Sequence, residues 1–175
     1  GAIASEMHWD HGVEHGDYRR WTNDGPVAEE GLYEYGLRVG TWTTWHPNGK
    51  KASVIDYELG VPHGNAQSWS AAGVLLSDAT YYHGVLDGEF VSTNEDGSWK
   101  SIDNYDKGQP DGSFRSWQNG VLVSESSYAD GVPSGTFRQW DTNGRLLYSE
   151  QYRDGLLSGA SVSYDGNGNK TGEAN

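Results

Sequence analysis

Apolar positions along this chain recur on a fixed ruler, and no window sustains the 3.6-residue spacing of an amphipathic helix. Large rings and small branched residues return every 24 residues, framed each time by glycines. One glycine series is Gly12, Gly36, Gly60, Gly84, Gly108, Gly131 and Gly155. A second follows at Gly16, Gly40, Gly64, Gly88, Gly112, Gly135 and Gly159, and a third at Gly25, Gly49, Gly73, Gly97, Gly120, Gly144 and Gly168. Together they take 21 of the 25 glycines. Self-similarity at this period predicts an array in which each repeat packs only on its neighbours.

Each repeat reads aromatic-x-x-G-x-x-x-G-x-aromatic-x-x-W-x-x-[ND]-G-x-L. The third glycine follows Asp24, Asn48, Asp96, Asn119, Asn143 or Asn167, with Ala72 the exception. Asn-Gly and Asp-Gly favour tight hairpin turns, so this position predicts the main turn of each repeat. Residues 41–45 and 135–140 lead into such turns, and 121–128 and 146–152 lead out, rich in the rings and branched residues that suit strands. The G-x-x-x-G segment predicts the second turn. Its small branched residues (Val13, Leu37, Val61, Val85, Val132 and Leu156) are expected to pack against the adjacent turn. The single shortening of the period falls between Trp117 and Gly120, inside a turn, where a residue can be lost without moving the rings. The predicted fold is all-β: an elongated, twisted, single-layer antiparallel sheet of seven consecutive hairpins over residues 9–175. Residues 1–8 stand outside the repeat and read as a leader or vector remnant.

Indexing by glycine exposes three rows of rings. The first is Trp9, Tyr33, Tyr57, Tyr81, Tyr105, Tyr128 and Tyr152. The second is Tyr18, Trp42, Ala66, Phe90, Phe114, Phe137 and Ser161. The third is Trp21, Trp45, Trp69, Thr93, Trp117, Trp140 and Tyr164. Equivalent residues of neighbouring hairpins stand about 10 Å apart, so rings of different rows must interleave to touch. Trp42 and Trp45, three apart, project to opposite faces unless a bulge realigns them. Thr93 breaks the third row, and Trp99, just past its turn, is expected to fill the gap.

Composition narrows the function. The net charge is −13, which repels nucleic acid and anionic lipid and favours a basic partner or a neutral glycan. Without cysteine there is no disulfide or thiol chemistry. No nucleophile elbow or phosphate loop occurs, and no catalytic constellation stands out, so the chain reads as a non-enzyme without cofactors. His8, His11 and His15 have helical metal-ligand spacing but sit among glycines, and Asp165, Asn167 and Asn169 begin a calcium-type loop that lacks its Gly and Glu; both read as turns, and no metal is expected.

The spacing Y-x-x-G-x-x-x-G-x-W-x-x-W-x-x-N-G-x-L is similar to the MORN repeat in its longer bacterial variant, over nearly the whole chain. The resemblance implies a twisted single-layer sheet of hairpins with aromatics on one face, a protein-binding or scaffolding role and no catalytic residues. Some members are linked to phospholipid; the acidity of this chain argues against that here. The candidate binding residues are Trp21, Trp45, Trp69, Trp117 and Trp140, with Trp42, Tyr57 and Tyr81, as anchors for a basic or extended segment of a partner protein. The alternative is a surface adhesin or glycan-binding module of a bacterium, the rings stacking on sugars. An acidic, Cys-free, Gly- and Asn-rich array favours the cell surface, periplasm or medium over the cytoplasm. Unpaired terminal strands offer a route to homo-oligomers.

Overall fold

The structure is a computed structural model that describes residues 4–174. Among the described residues it is all-β, and none lies in a helix long and apolar enough to cross a membrane. The chain divides into two compact units, Gly1–Val85 and Leu86–Asn175. In the N-terminal unit the strands are β1 (Ser5–Asp10), β2 (Val13–Trp21), β3 (Val27–Glu34), β4 (Leu37–Trp45), β5 (Lys51–Glu58), β6 (Val61–Trp69) and β7 (Leu75–Tyr82), each antiparallel to the next. β1 takes in residues 5–8, which the repeat pattern leaves outside the array.

The C-terminal unit contains β8 (Val85–Thr93) from Leu86 onward, β9 (Trp99–Asp106), β10 (Gln109–Gln118) and β11 (Val121–Ala129). The short β12 (Val132–Pro133) and β13 (Gly135–Trp140) share one partner, β11. β14 (Leu146–Arg153) likewise pairs with both β15 (Leu156–Leu157) and β16 (Ser161–Tyr164), and β17 (Lys170–Ala174) follows. Every pairing is antiparallel.

The glycine series have three distinct backbone roles, and two differ from expectation. The tight two-residue turn sits at the first series, not at Asn-Gly. Tyr35 (φ 48°) and Gly36 (φ 80°) are both left-handed, and the pattern repeats at His11, Leu59, His83, Lys107, Asp130 and Asp154. Two successive positive φ values make the turn whose twist matches the flanking strands. At the third series the usual closure is a three-residue loop. His46 N–H donates to the Lys50 carbonyl at 2.8 Å, Gly49 N–H donates back to His46 at 2.9 Å, and Gly49 holds φ 79°. This is a type I turn followed by a left-handed glycine. The shortened repeat alters the loop as the deletion requires: Asn119 (φ 50°) and Gly120 (φ 79°) form a two-residue turn between the paired residues Gln118 and Val121. The second series does not turn the chain. Gly40 (φ 64°) lies within β4 beside a register shift in the pairing with β3, so it serves a bulge.

Successive turns are stitched together. Gly36 N–H donates to the Glu14 carbonyl, and Gly60 and Gly84 donate to Arg38 and Pro62, at 2.8–2.9 Å. Leu37 and Val61 lie against Gly60 and Gly84, the packing expected of the small branched residues.

Little of either unit is enclosed. Among the described residues the buried apolar side chains are Ala28, Trp42 and Ala79, with Trp42 only 2% exposed. Trp42 reaches that burial by lying flat on Gly31, where an added Cβ would stand 2.2 Å from the indole. Its ring stacks on Tyr18 (centroids 5.4 Å apart) and meets Tyr33 edge-on at 4.9 Å. Its Nε1–H donates to the Leu32 carbonyl at 3.2 Å. Gly31 belongs to none of the three series; it is small because the ring needs its space. Gly31→Ala is expected to destabilise the chain by about 1–3 kcal/mol through this overlap. Chemical denaturation reads the change, and a parental midpoint would show that Trp42 does not depend on Gly31.

Candidate functional site

Strand alternation sorts the three ring rows onto two faces. β4 runs unbroken from Trp42 to Trp45, and the bulged residue beside Trp45 is Ala52 on β5. The two indoles therefore leave opposite faces. The same register shift precedes Trp21, Trp69, Trp117 and Trp140. In the C-terminal unit the Lys100 ammonium sits 5.9 Å from the Trp117 ring, on the side away from Phe114. Of the sequence-selected residues, Trp42, Tyr57 and Tyr81 thus lie on one face, termed the ring face. Trp21, Trp45, Trp69, Trp117 and Trp140 lie half-buried on the other, next to the loops of the third glycine series. Trp42 is enclosed and offers no surface.

Thr93 shows why the third row breaks. It pairs directly with Lys100, without the register shift of the other repeats, and its hydroxyl donates to the Trp99 carbonyl at 2.9 Å. Trp99 does not fill the gap as expected. One residue along from Lys100, it projects to the ring face, 40% exposed, beside Asp103 and Phe114.

The ring face differs between the units. In the N-terminal unit the rings Tyr33, Trp42 and Tyr57 meet the protein's own cation. The Arg38 guanidinium lies 4.0 Å from the Trp42 centroid and 5.6 Å from that of Tyr57, and donates to Glu29 at 2.8 Å. Burial lowers its proton affinity, but hydrogen bonding with Tyr33 and Tyr57 and the charge of Glu29 outweigh this and hold its pKa above the ordinary value. Glu29 also receives Arg20 at 3.2 Å, so its carboxylate is shared by two guanidinium groups.

In the C-terminal unit five rings run on without interruption. Tyr105 meets Phe114 at 5.3 Å, Phe114 meets Tyr128 at 4.9 Å, Tyr128 meets Phe137 at 5.4 Å and Phe137 meets Tyr152 at 4.7 Å. Two carboxylates stand among them, Asp103 and Glu150. Each lies two residues before the leading tyrosine of its repeat, where the N-terminal unit has Gly31, Ile55 and Ala79. Asp103 pairs across the sheet with both Phe90 and Phe114 and receives one hydrogen bond, from Ser101 at 3.1 Å. Desolvation raises its pKa, and the Ser101 bond offsets only part of that. With Trp99, Ser101 and Phe114, Asp103 lines an open concavity of about 300 Å³. Glu150 is held below the ordinary carboxylate range by the hydroxyls of Tyr148 and Tyr152, and Tyr152 donates to it at 2.6 Å. The ion pairs described in this unit engage Lys107, Arg115, Arg138, Arg145 and Lys170, and none takes Asp103 or Glu150.

A row of hydroxyls borders the rings on this face. Thr44 meets Ser53 at 2.7 Å, Ser68 meets Ser77 at 2.6 Å, and Ser92 and Ser116 pair with Ser101 and Ser124. Sequence reasoning missed this row, Arg38 and both carboxylates. The signal was present: all occupy fixed places relative to the glycines, but only the strand pairing shows that those places share a face with the rings.

Residues 38–58 match the family described as MORN repeat variant. The repeated β-hairpins of both units are consistent with repeats of that family, which are generally protein- or membrane-interaction modules. No curated protein matches the chain.

The Glu150 cluster has a pH signature. The carboxylate pushes the Tyr152 phenol up to about 12. Because the folded value lies above the ordinary tyrosine value near 10, the phenol–carboxylate bond contributes stability below that pH. That contribution is lost as pH rises through about 12. In an alkaline absorbance titration, Tyr152→Phe is expected to remove a late-titrating tyrosine and Glu150→Gln to move it back towards 10. Identical titration curves for parent and both variants would contradict the assignment.

Proposed function

We propose that the chain is a non-catalytic interaction scaffold whose C-terminal ring face takes a basic, extended segment of a partner protein. One observation carries this reading. The N-terminal unit fills its ring face with Arg38, a guanidinium held between aromatic faces and a carboxylate. The C-terminal unit has the rings and the carboxylates, yet its residues equivalent to Arg38 are Leu86, Pro110, Pro133 and Leu157. A partner's arginine or lysine supplies there what Arg38 supplies in the first unit.

The chemistry favours such a ligand. Asp103 is partly desolvated with one hydrogen bond, so its charge is under-compensated. A cation beside it gains both the Coulomb term and the ring quadrupoles of its neighbours. The overall charge of −13 steers basic segments towards the protein and accelerates encounter at low salt. Extension of the partner matches a binding strip built from successive cross-strand ring pairs.

Isothermal titration with an extended arginine- and lysine-rich peptide tests the reading. Asp103→Asn is expected to weaken binding about tenfold, equivalent to about 1.4 kcal/mol, and added salt to weaken the parent. Asp154→Asn, at a hairpin end, leaves binding unchanged. Equal affinity of the parent and Asp103→Asn overturns the proposed site, as does preference for a neutral oligosaccharide over the peptide.

A further inference from the structure

We propose that the hairpin ends of the N-terminal unit carry a binding site for one zinc-class divalent ion, formed by Glu58, His63 and His83. The three side chains each bring one ligand atom to within 4.8 Å of the others. They come from three places in sequence: the end of β5, the start of β6 across the Leu59–Gly60 turn, and the turn that follows β7.

The repeat geometry explains why they meet. Stacking of successive turns sets the residue three after the first-series glycine against the residue just before that glycine in the next repeat. His15 meets Tyr35 in this way, with ring centroids 5.3 Å apart. Asp87 accepts a hydrogen bond from the Lys107 N–H at 3.1 Å by the same relation. His63 and His83 are a third instance, their centroids 4.8 Å apart. The residue two before the glycine completes the set from the same hairpin, and here it is Glu58. Repeat one offers Asp10, His15 and Tyr35 at these places, and repeat four offers Tyr82, Asp87 and Lys107. Repeat five places Asp106, Asp111 and Asp130 there, an all-oxygen set suited to harder cations, and repeat three sets two imidazoles beside a carboxylate, the set a borderline metal prefers.

His63 Nδ1 lies 3.2 Å from Glu58 Oε2 and 3.4 Å from the His83 backbone nitrogen. With its proton on Nδ1 the ring donates to Glu58; in the other tautomer Nδ1 presents one lone pair, which takes either the His83 N–H or a metal ion, and the carboxylate beside it favours the ion. Two imidazoles and a carboxylate form a donor set suited to zinc, with a fourth position left for water. Tetrahedral ligands at about 2.05 Å from zinc stand about 3.4 Å apart. Rotation of the exposed His83 side chain closes the difference from the observed separation. Tyr82, tilted against His63 at 5.2 Å and edge-on to His83 at 4.3 Å, limits the rings to a few orientations. A bound ion joins the third repeat's hairpin end to the fourth's.

Titration of the whole chain with zinc sulfate, followed by calorimetry and thermal unfolding, tests the site. The parent is expected to bind one ion per chain and to unfold at a higher temperature with zinc present. His63→Ala and His83→Asn, the latter chosen because Asn tolerates the left-handed backbone at that position, each lower the affinity at least about tenfold and abolish the thermal shift. Glu58→Gln, which preserves side-chain shape, weakens binding without unfolding the turn. His46→Ala, whose imidazole is engaged with the Trp69 carbonyl, leaves binding unchanged. A parent that takes up no zinc overturns the proposal. So does a folded His63→Ala or His83→Asn chain that binds zinc as tightly as the parent.

Discussion

A sheet one layer thick has no second layer to bury its rings, so its side chains must cover one another. That constraint governs this protein. Among the described residues Trp42 is the one large ring that is fully enclosed, and it is enclosed by Tyr18, Tyr33 and Arg38 above the bare backbone of Gly31. In the C-terminal unit Phe114, Tyr128 and Phe137 each meet rings from the two adjacent strands. Cross-strand aromatic pairs contribute roughly 0.5–1.5 kcal/mol each beyond their buried area. The chain from Tyr105 to Tyr152 contains four such pairs. Their value depends wholly on register, because a slip of one residue carries every ring to the other face.

The glycines hold that register. A two-residue turn at the first series and, except at Asn119–Gly120, a type I turn at the third set the two ends of the hairpins. The bulge at the second series restores the phase between them. The hydrogen bonds from each first-series glycine to the preceding turn then lock successive hairpins together. The regularity has a chemical consequence: outside the altered loops at Thr93 and Asn119, positions that are neighbours at one turn recur as neighbours at others, as His15–Tyr35, His63–His83 and Asp87–Lys107 do. Arg38, Asp103 and the Glu58–His63–His83 cluster are single departures written onto that frame, each surrounded by residues whose places are fixed.

Much of the frame was legible in the sequence. The period, the all-β class, the interleaving of the ring rows and the loss of one residue inside a turn all follow from spacing. The turn assignments were less legible. Asn-Gly is a strong signal for a two-residue turn, yet only Asn119–Gly120 forms one; elsewhere the loop is a residue longer and Asn sits where a type I turn accepts it. The tight turns instead place Tyr35, Leu59 and His83 in the left-handed region, which intrinsic preference disfavours. Turn-to-turn stacking stabilises that backbone, a tertiary effect that local sequence does not display. The site was legible only in part for a similar reason. Spacing left Trp42 and Trp45 on opposite faces unless a bulge intervened, and only the unbroken run of β4 between them shows that no bulge does. Asp103 looked like any solvated carboxylate until its cross-strand partners, Phe90 and Phe114, were known.

The account stands on ring contacts between adjacent strands, and a double-mutant cycle measures one directly. Stabilities of the parent, Phe137→Leu, Tyr152→Leu and the double variant give the coupling between two rings whose centroids are 4.7 Å apart. The expected coupling is about 0.5–1.5 kcal/mol, with none between Tyr105 and Tyr152, which share no contact. Purely additive effects for Phe137 and Tyr152 would contradict the claim that interleaved rings hold the sheet.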